Sequence, residues 1–126
     1  MTYRTPLGNA RGLGSAKSGA HHWWMQRLTA VALVPLTLWF ILSVIQLAGA
    51  DYQMAVVWIS SPTNSVLMLL LIAATFHHMQ LGLQVVIEDY VQGEGTKIIG
   101  IVFVKLISVL LAAAAAFAVL KIAFGG

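Results

Sequence analysis

The stretch SVLMLLLIAATFHHMQLGLQVVI, residues 65–87, decides the fold of this chain. It is an apolar run of the length that a helix needs to cross a bilayer, which is roughly 20 residues. Two histidines, His77 and His78, lie deep within the run, and two carboxylates and a tyrosine follow it directly. The stretch therefore predicts a membrane-spanning helix that carries polar side chains toward one end.

The rest of the chain has the composition of a membrane protein. Of its 126 residues, 60% are hydrophobic and only 9% are charged, and the mean hydropathy is +0.88. A soluble domain with so little charge could not cover its surface. Two further apolar runs are long enough to cross, at about 28–50 and about 98–124. Because backbone in lipid must satisfy its own hydrogen bonds, we predict an all-α membrane protein with three transmembrane helices.

Basic residues set the expected orientation of these spans. The chain before the first span has no acid and carries four basic residues, which are Arg4, Arg11, Lys17 and Arg27. The first connection, residues 51–64, has neither lysine nor arginine, whereas the second connection carries Lys97. The positive-inside rule then places the N-terminus in the cytoplasm and the C-terminus outside. Lys105 lies inside the third span and is expected to snorkel toward its cytoplasmic end.

The chain divides into an arm and a membrane domain. Residues 1–20 are Gly-rich, basic and free of acids, and we expect a flexible arm that lies against a partner. Residues 21–126 then form the three-helix membrane domain. A transit peptide is the alternative for the arm, which however lacks an amphipathic period. The pI near 9.6 favours contact with anionic lipid or a partner over nucleic acid. The absence of cysteine excludes disulfides and Cys-ligated zinc or iron–sulfur clusters in this chain.

The two histidines lie on different sides of their helix. Because successive residues differ by about 100°, His78 and Asp89 share one face and lie roughly 16 Å apart along the axis. Ala74 and Gly82 stand four positions before and after His78, which leaves room for a large flat ligand on that face. His77 lies about 100° away, on a second polar stripe. The other members of that stripe are Gln80, Gln84 and Glu88.

Ionisable residues inside a membrane indicate function by default, because an unpaired one is costly in lipid. His78 is therefore a candidate haem ligand, and the second axial ligand must come from another chain because His77 faces elsewhere. The alternatives stay open at this point. Either histidine could simply hydrogen-bond a neighbouring helix. Arg27 could be a membrane anchor, and Tyr90 could belong to the interfacial aromatic belt.

The chain resembles the hydrophobic membrane-anchor family of succinate dehydrogenase, which is respiratory complex II. The matching motifs are His78-x3-Gly82-x6-Asp89-Tyr90-Val91 near the end of the second span and His21-x5-Arg27-x-Thr29 before the first. Their order, their spacing and the three-helix plan agree over most of the chain. The first twenty residues carry no part of the resemblance.

The resemblance implies a role for each matched position. His78, and not His77, is implied as the axial ligand of a haem b iron. Tyr90 and Asp89 are implied at the ubiquinone site. Arg27 and His21 are implied near the haem propionates, with the adjacent His22 as an alternative register.

The resemblance also implies partners. These are a second membrane anchor of the cytochrome b type that shares the haem, an iron–sulfur subunit and a flavoprotein. The chain itself carries no catalytic residue and would not oxidise succinate. The expected location is the inner (cytoplasmic) membrane of a bacterium rather than the mitochondrial inner membrane. The alternatives are the anchor of a fumarate reductase and a structural membrane protein without a redox role.

Overall fold

The computed structural model describes residues 14–125, with the backbone alone for residues 14–18. This part of the chain is helical, with four helices: α1 (Gly14–Gln46), α2 (Tyr52–Ser60), α3 (Pro62–Tyr90) and α4 (Glu94–Ala123). Three of them, α1, α3 and α4, are long and apolar enough to cross a membrane. The prediction of an all-α membrane protein with three transmembrane helices is confirmed, while the orientation of its termini stays a prediction.

The central helix of the bundle is α3, which packs against α1 on one side and α4 on the other. Ile87 of α3 contacts α4, because a Cβ atom added to Gly100 would lie 3.5 Å from the Ile87 side chain. Ile87 follows His78 by nine positions, so helical geometry places it about 180° from that histidine. The α1–α3 pair therefore has two sides, which we call the His78 side and the His77 side, and α4 lies away from the former.

Burial in the described chain is the reverse of that in a soluble protein. The buried apolar residues are Leu81 and Val119, whereas four small hydroxyl residues are buried: Thr29, Ser43, Ser65 and Ser108. Most large apolar side chains are exposed. Small residues allow membrane helices to approach closely, and lipid or partner chains solvate the apolar surface. Packing between these helices therefore depends on small side chains rather than on a large apolar core.

The first helix is longer at its start than the span predicted from hydropathy. α1 begins at Gly14, so residues 14–20, which were expected to belong to the flexible arm, are helical. No proline interrupts this segment, and its Ala and Lys residues favour a helix. Residues 1–13 of the arm lie outside the described residues. α1 also continues through Pro35, as membrane helices do when neighbouring groups satisfy the freed carbonyl.

The short helix α2 was not predicted, because nine residues are too few to span a membrane. Asp51 caps it, with its carboxylate accepting a hydrogen bond from the Met54 backbone N–H at 2.9 Å. An aspartate directly before an apolar run is a recognised helix start, and this signal could have revealed α2. The rings of Trp39 and Trp58 stack 5.5 Å apart and tie α2 to α1. The first connection is thus a packed element and not a loose loop.

The residues Pro62-Thr63-Asn64-Ser65 predict an N-terminal cap for the second span, which agrees with the structure for Pro62 but not for the polar residues. Ser61 is the N-cap residue of α3 without a side-chain cap bond, and Pro62 occupies the first turn. Asn64 Nδ2 instead donates to the Trp58 carbonyl at 2.9 Å, and Ser65 Oγ donates to the Ile59 carbonyl. These polar residues satisfy the carbonyls at the end of α2, which have no partner within that helix.

Gly93 and Gly95 predict a turn between the second and third spans, and the structure confirms a turn there. Gly93 has φ of 89°, a value that favours glycine, at the start of α4.

Candidate functional site

His78 meets Thr29 at the α1–α3 interface. The Nδ1 atom of His78 lies 3.0 Å from Oγ1 of Thr29, a residue that is 7% exposed. The Thr29 hydroxyl donates its single hydrogen within α1, to the Met25 carbonyl at 2.7 Å. With this bond in place, the hydroxyl oxygen can only accept from His78, and the matching tautomer of the ring carries its hydrogen on Nδ1. The lone pair of Nε2 is left free to bind a ligand.

The half-buried His78 ring borders an apolar cavity of about 420 Å³. The other lining residues all belong to α1: Ala30, Leu33, Val34, Thr37 and Leu38. A histidine with a fixed tautomer beside an apolar wall is a suitable ligand for a metal in a flat hydrophobic cofactor. Within the described residues no three His, Asp or Glu side chains group as a metal site.

A second cavity, of about 410 Å³, lies on the same side, nearer the start of α1. It is lined by Gly19, His22, Trp23, Gln26, Arg27, Gly82 and Val85. The Arg27 guanidinium is exposed and lies 5.0 Å from the centre of the Trp23 ring. Two buried atoms of this cavity, His22 Nε2 and Gln26 Oε1, have no hydrogen-bond partner within the described residues. Such atoms indicate a missing polar ligand, because buried polar groups are normally paired.

The structure separates the two histidines that begin the second motif. His22 lines the cavity that contains Arg27 and Gly82. His22 also lines the cavity on the His77 side, whereas His21, which is exposed, lines only that one of the two. The predicted propionate residues are therefore not brought together as the motif was first aligned, since Arg27 is grouped with His22 and not with His21.

Asp89 and Tyr90 form the end of α3, where the chain leaves the helix at Val91. Both side chains are exposed, and Tyr90 is 80% exposed. Asp89 lies on the face of His78, about 16 Å along the axis by helical rise. Their placement leaves both side chains accessible to a ligand or to a partner chain at this end of the bundle.

The polar stripe predicted on α3 is also present. His77, Gln80, Gln84 and Glu88 line one cavity of about 520 Å³ on the His77 side, together with Lys105 of α4. The sequence did not predict that Lys105 lies beside this stripe, and it predicted no hydrogen-bond partner for Thr29. A polar residue inside an apolar span was the available signal in both cases, but the sequence does not show which helices pack together.

Comparison with known proteins identifies the chain's relatives. Residues 1–120 match the family model described as the succinate dehydrogenase/fumarate reductase transmembrane subunit. The chain belongs to this family. The succinate dehydrogenase hydrophobic membrane anchor subunit of Rickettsia bellii is 38% identical over 112 residues, covering 87% of this chain and 90% of that protein.

Two further relatives carry similar descriptions. The succinate dehydrogenase hydrophobic membrane anchor subunit of Paracoccus denitrificans is 32% identical over 125 residues, covering 99% of this chain and 96% of that protein. The succinate dehydrogenase membrane anchor subunit of Reclinomonas americana is 32% identical and covers 74% of this chain and 80% of that protein. No solved structure matches the chain significantly.

Proposed function

We propose that this chain is a membrane-anchor subunit of a succinate:ubiquinone oxidoreductase, which helps to hold haem b and to form the ubiquinone site. The relatives named above, which match most of the chain, support the anchor role. The family description covers fumarate reductases as well, and the succinate dehydrogenase descriptions of the relatives favour succinate oxidation. The non-redox alternative has no such support.

The bond between Thr29 and His78 is the observation that carries the haem proposal. With Thr29 accepting from Nδ1–H, Nε2 of His78 keeps a lone pair for a ligand, and the ring borders the apolar cavity. His78 would hold the haem iron from this chain, and a histidine of the second membrane anchor would provide the other protein ligand. When bound, the haem exchanges single electrons within the membrane domain.

The cavity beside Arg27 fits the haem propionates. Arg27 offers a cation, and the same cavity is lined by His22 and Gln26, each of which has a buried polar atom without a hydrogen-bond partner in the described residues. Arginine binds carboxylates strongly through charge-assisted hydrogen bonds. We assign the histidine contribution to His22, because His21 lines the cavity on the opposite side. Arg27 would retain its contact with the Trp23 ring, which orients the guanidinium.

The last turn of α3 forms this chain's part of the ubiquinone site. The exposed Tyr90 hydroxyl donates a hydrogen bond to a quinone carbonyl, whose basicity rises as the ring is reduced. Reduction to quinol takes two electrons and two protons. The Asp89 carboxylate is next to Tyr90 on the exposed end of α3 and relays protons from water toward the reduced ring.

The electrons come from partner subunits. This chain has no cysteine and so cannot ligate an iron–sulfur cluster through thiolates. An iron–sulfur subunit and a flavoprotein that oxidises succinate therefore dock at the membrane surface, beside the second anchor. Since the Rickettsia and Paracoccus relatives are bacterial, we place the complex in a bacterial inner membrane.

Two adjacent histidines provide the test of the haem proposal. His78→Ala in the complex purified with its partner subunits should abolish the low-spin haem b absorption spectrum. His77→Ala is the matched control, since it removes the same side chain one position away, on the other side of α3, and should keep the spectrum. A complex that keeps its haem in His78→Ala and loses it in His77→Ala would contradict the assignment.

A further inference from the structure

The cleft on the His77 side shares only Gly19 and His22 with the cavity assigned to the haem propionates, and its charged residues have no role in the proposed haem and quinone sites. It is a cavity of about 520 Å³ between α1, α3 and α4, and it contains a lysine and a glutamate, Lys105 and Glu88. The remaining lining residues are Gly19, His21, His22, Met25, His77, Gln80, Leu81 and Gln84. Lys105 and Glu88 are both exposed. Polar and charged groups are costly against lipid tails, so a cleft of this kind in a membrane domain needs a polar ligand.

An apolar groove continues from this cleft toward the middle of the membrane. The groove has a volume of about 380 Å³ and runs between residues 28–36 of α1 and residues 70–77 of α3. Its lining is almost wholly apolar and includes Leu28, Ala32, Leu36, Leu70 and Ala73. His77 lines both cavities, so the cleft and the groove meet at that residue.

The backbones of the residues that line the cleft follow an order along the helix axes. The contact between Gly100 and Ile87 sets the register of the antiparallel helices α3 and α4. Lys105 is five residues beyond Gly100, so its backbone is level with Gly82. Glu88 is six residues further along α3, or about 9 Å nearer the helix end at 1.5 Å per residue. By backbone level, the order from the middle of the membrane outward is therefore the apolar groove, Lys105 and Glu88.

We propose that this cleft binds a glycerophospholipid with an ammonium head group, such as phosphatidylethanolamine. The order of groups in that lipid is acyl chain, phosphate, ammonium, which complements groove, Lys105 and Glu88 in turn. Gln80 offers an amide donor for the phosphate at the level of Lys105. Gln84 Nε2 donates to Glu88 Oε1 at 3.0 Å, and this bond orients the carboxylate. An anionic lipid would satisfy Lys105 but be repelled by Glu88.

Lipid competition on the complex purified with its partner subunits tests the proposal. The complex is stripped of lipid in detergent, and phosphatidylethanolamine and phosphatidylglycerol are added in equal amounts. Native mass spectrometry then counts each lipid bound. The unmodified complex should retain phosphatidylethanolamine in preference to phosphatidylglycerol. Removing one charge-assisted contact costs about 1.5–3 kcal/mol, so Lys105→Gln should lower its retention about tenfold or more.

Two further variants distinguish the effect of the glutamate from that of the lysine. Glu88→Gln removes the acid at nearly constant size and should abolish the preference for the ammonium lipid while keeping the phosphate contact. Lys97→Gln is the matched control, because it removes an equal charge from the first turn of α4, outside the residues that line the cleft. Retention in Lys97→Gln should equal that of the unmodified complex.

The outcomes that would overturn the proposal are distinct. A preference for phosphatidylglycerol in the unmodified complex, or an unchanged preference in Glu88→Gln, would refute the ammonium lipid. Equal retention in Lys105→Gln and Lys97→Gln would refute the cleft as the site. If the Lys105→Gln complex does not assemble, the lipid preference of Glu88→Gln alone decides whether the proposal holds. None of these measurements depends on haem binding by His78.

Discussion

The two sides of the α1–α3 pair differ in their surroundings, although the histidines that line them are adjacent in the sequence. On the His78 side, the ring is held by Thr29 at 3.0 Å and borders an apolar wall. On the His77 side, the neighbouring histidine lines a cleft with Lys105 and Glu88. Adjacent residues of a helix differ in direction by about 100°. The surroundings of His78 therefore suit a flat apolar cofactor, whereas those of His77 suit a zwitterionic head group. The function of a membrane histidine therefore depends on which residues of the neighbouring helices lie beside its face of the helix.

The orientation of the bundle has the largest expected effect, because it decides whether the cavities on the His77 and His78 sides face the cytoplasm or the outside. Alkaline phosphatase fused after Gly126 should be active in a bacterial host, and a fusion at Gly95 should be inactive. Alkaline phosphatase folds only where its disulfides form, outside the cytoplasm. The four basic residues before the first span motivate this expectation. The reverse pattern of activities would invert the orientation and place the quinone site at the outer face.

A variant of Tyr90 tests the proposed quinone contact at the end of α3. Tyr90→Phe keeps the ring and removes the hydroxyl, so quinone reduction should fall on the order of 10²-fold, as is typical when one preorganised donor is lost. Succinate oxidation with an artificial acceptor should be unchanged, because the flavin is in another subunit. Tyr52→Phe is a matched control at the opposite end of the bundle, since the two tyrosines are 79% and 80% exposed. Equal activities in both variants would leave Tyr90 as an interfacial belt residue.

Thr29 tests the bond that distinguishes the two histidines. Thr29→Val keeps the shape and removes the acceptor for Nδ1–H, so haem affinity should fall about 10- to 100-fold, the usual effect of losing a hydrogen-bond partner of a metal ligand. The haem reduction potential should rise as well, because the ligand becomes less basic. Haem content per complex and a redox titration measure the two effects.

Two variants serve as controls for Thr29. Thr29→Ser keeps the hydroxyl and should restore both values. Ser43→Ala removes another buried hydroxyl of α1, one that donates only to the Trp39 carbonyl at 2.8 Å, and should leave haem unchanged. Haem loss in Ser43→Ala as large as in Thr29→Val would show a general loss of helix packing instead of a specific bond.

Gly82 should give the smallest effect. A Cβ atom at this position would lie 3.8 Å from Gln26 Nε2, which is an ordinary contact. Ala is also favoured over Gly in a helix interior by about 1 kcal/mol. Gly82→Ala should therefore assemble with equal or slightly raised thermal stability and with haem bound, whereas Gly82→Leu should fill the cavity beside Arg27 and displace haem. Loss of assembly in Gly82→Ala would contradict the spacing of α1 and α3.

Hydropathy and helical periodicity predicted much of this molecule. The three spans follow from run length, and the separation of His77 from His78 follows from the helical period. The turn at Gly93 was also predicted, and its φ of 89° explains the glycine. Helix α2 was missed because length was the criterion, although Asp51 marks its start. The polar residues Asn64 and Ser65 were assigned to the wrong helix end, because their partners are carbonyls of α2.

Sequence alone establishes that the chain is a membrane protein, where its three spans lie and which polar residues share a face of one helix. Those properties depend on run length and on the fixed rotation per residue, which act within a single helix. Only the packing of the helices shows that Thr29 meets His78, that His22 rather than His21 is grouped with Arg27, and that Lys105 joins the His77 stripe. In lipid nearly every helix face is apolar, so hydropathy does not mark the face that packs, and small hydroxyl residues at the contacts select it instead.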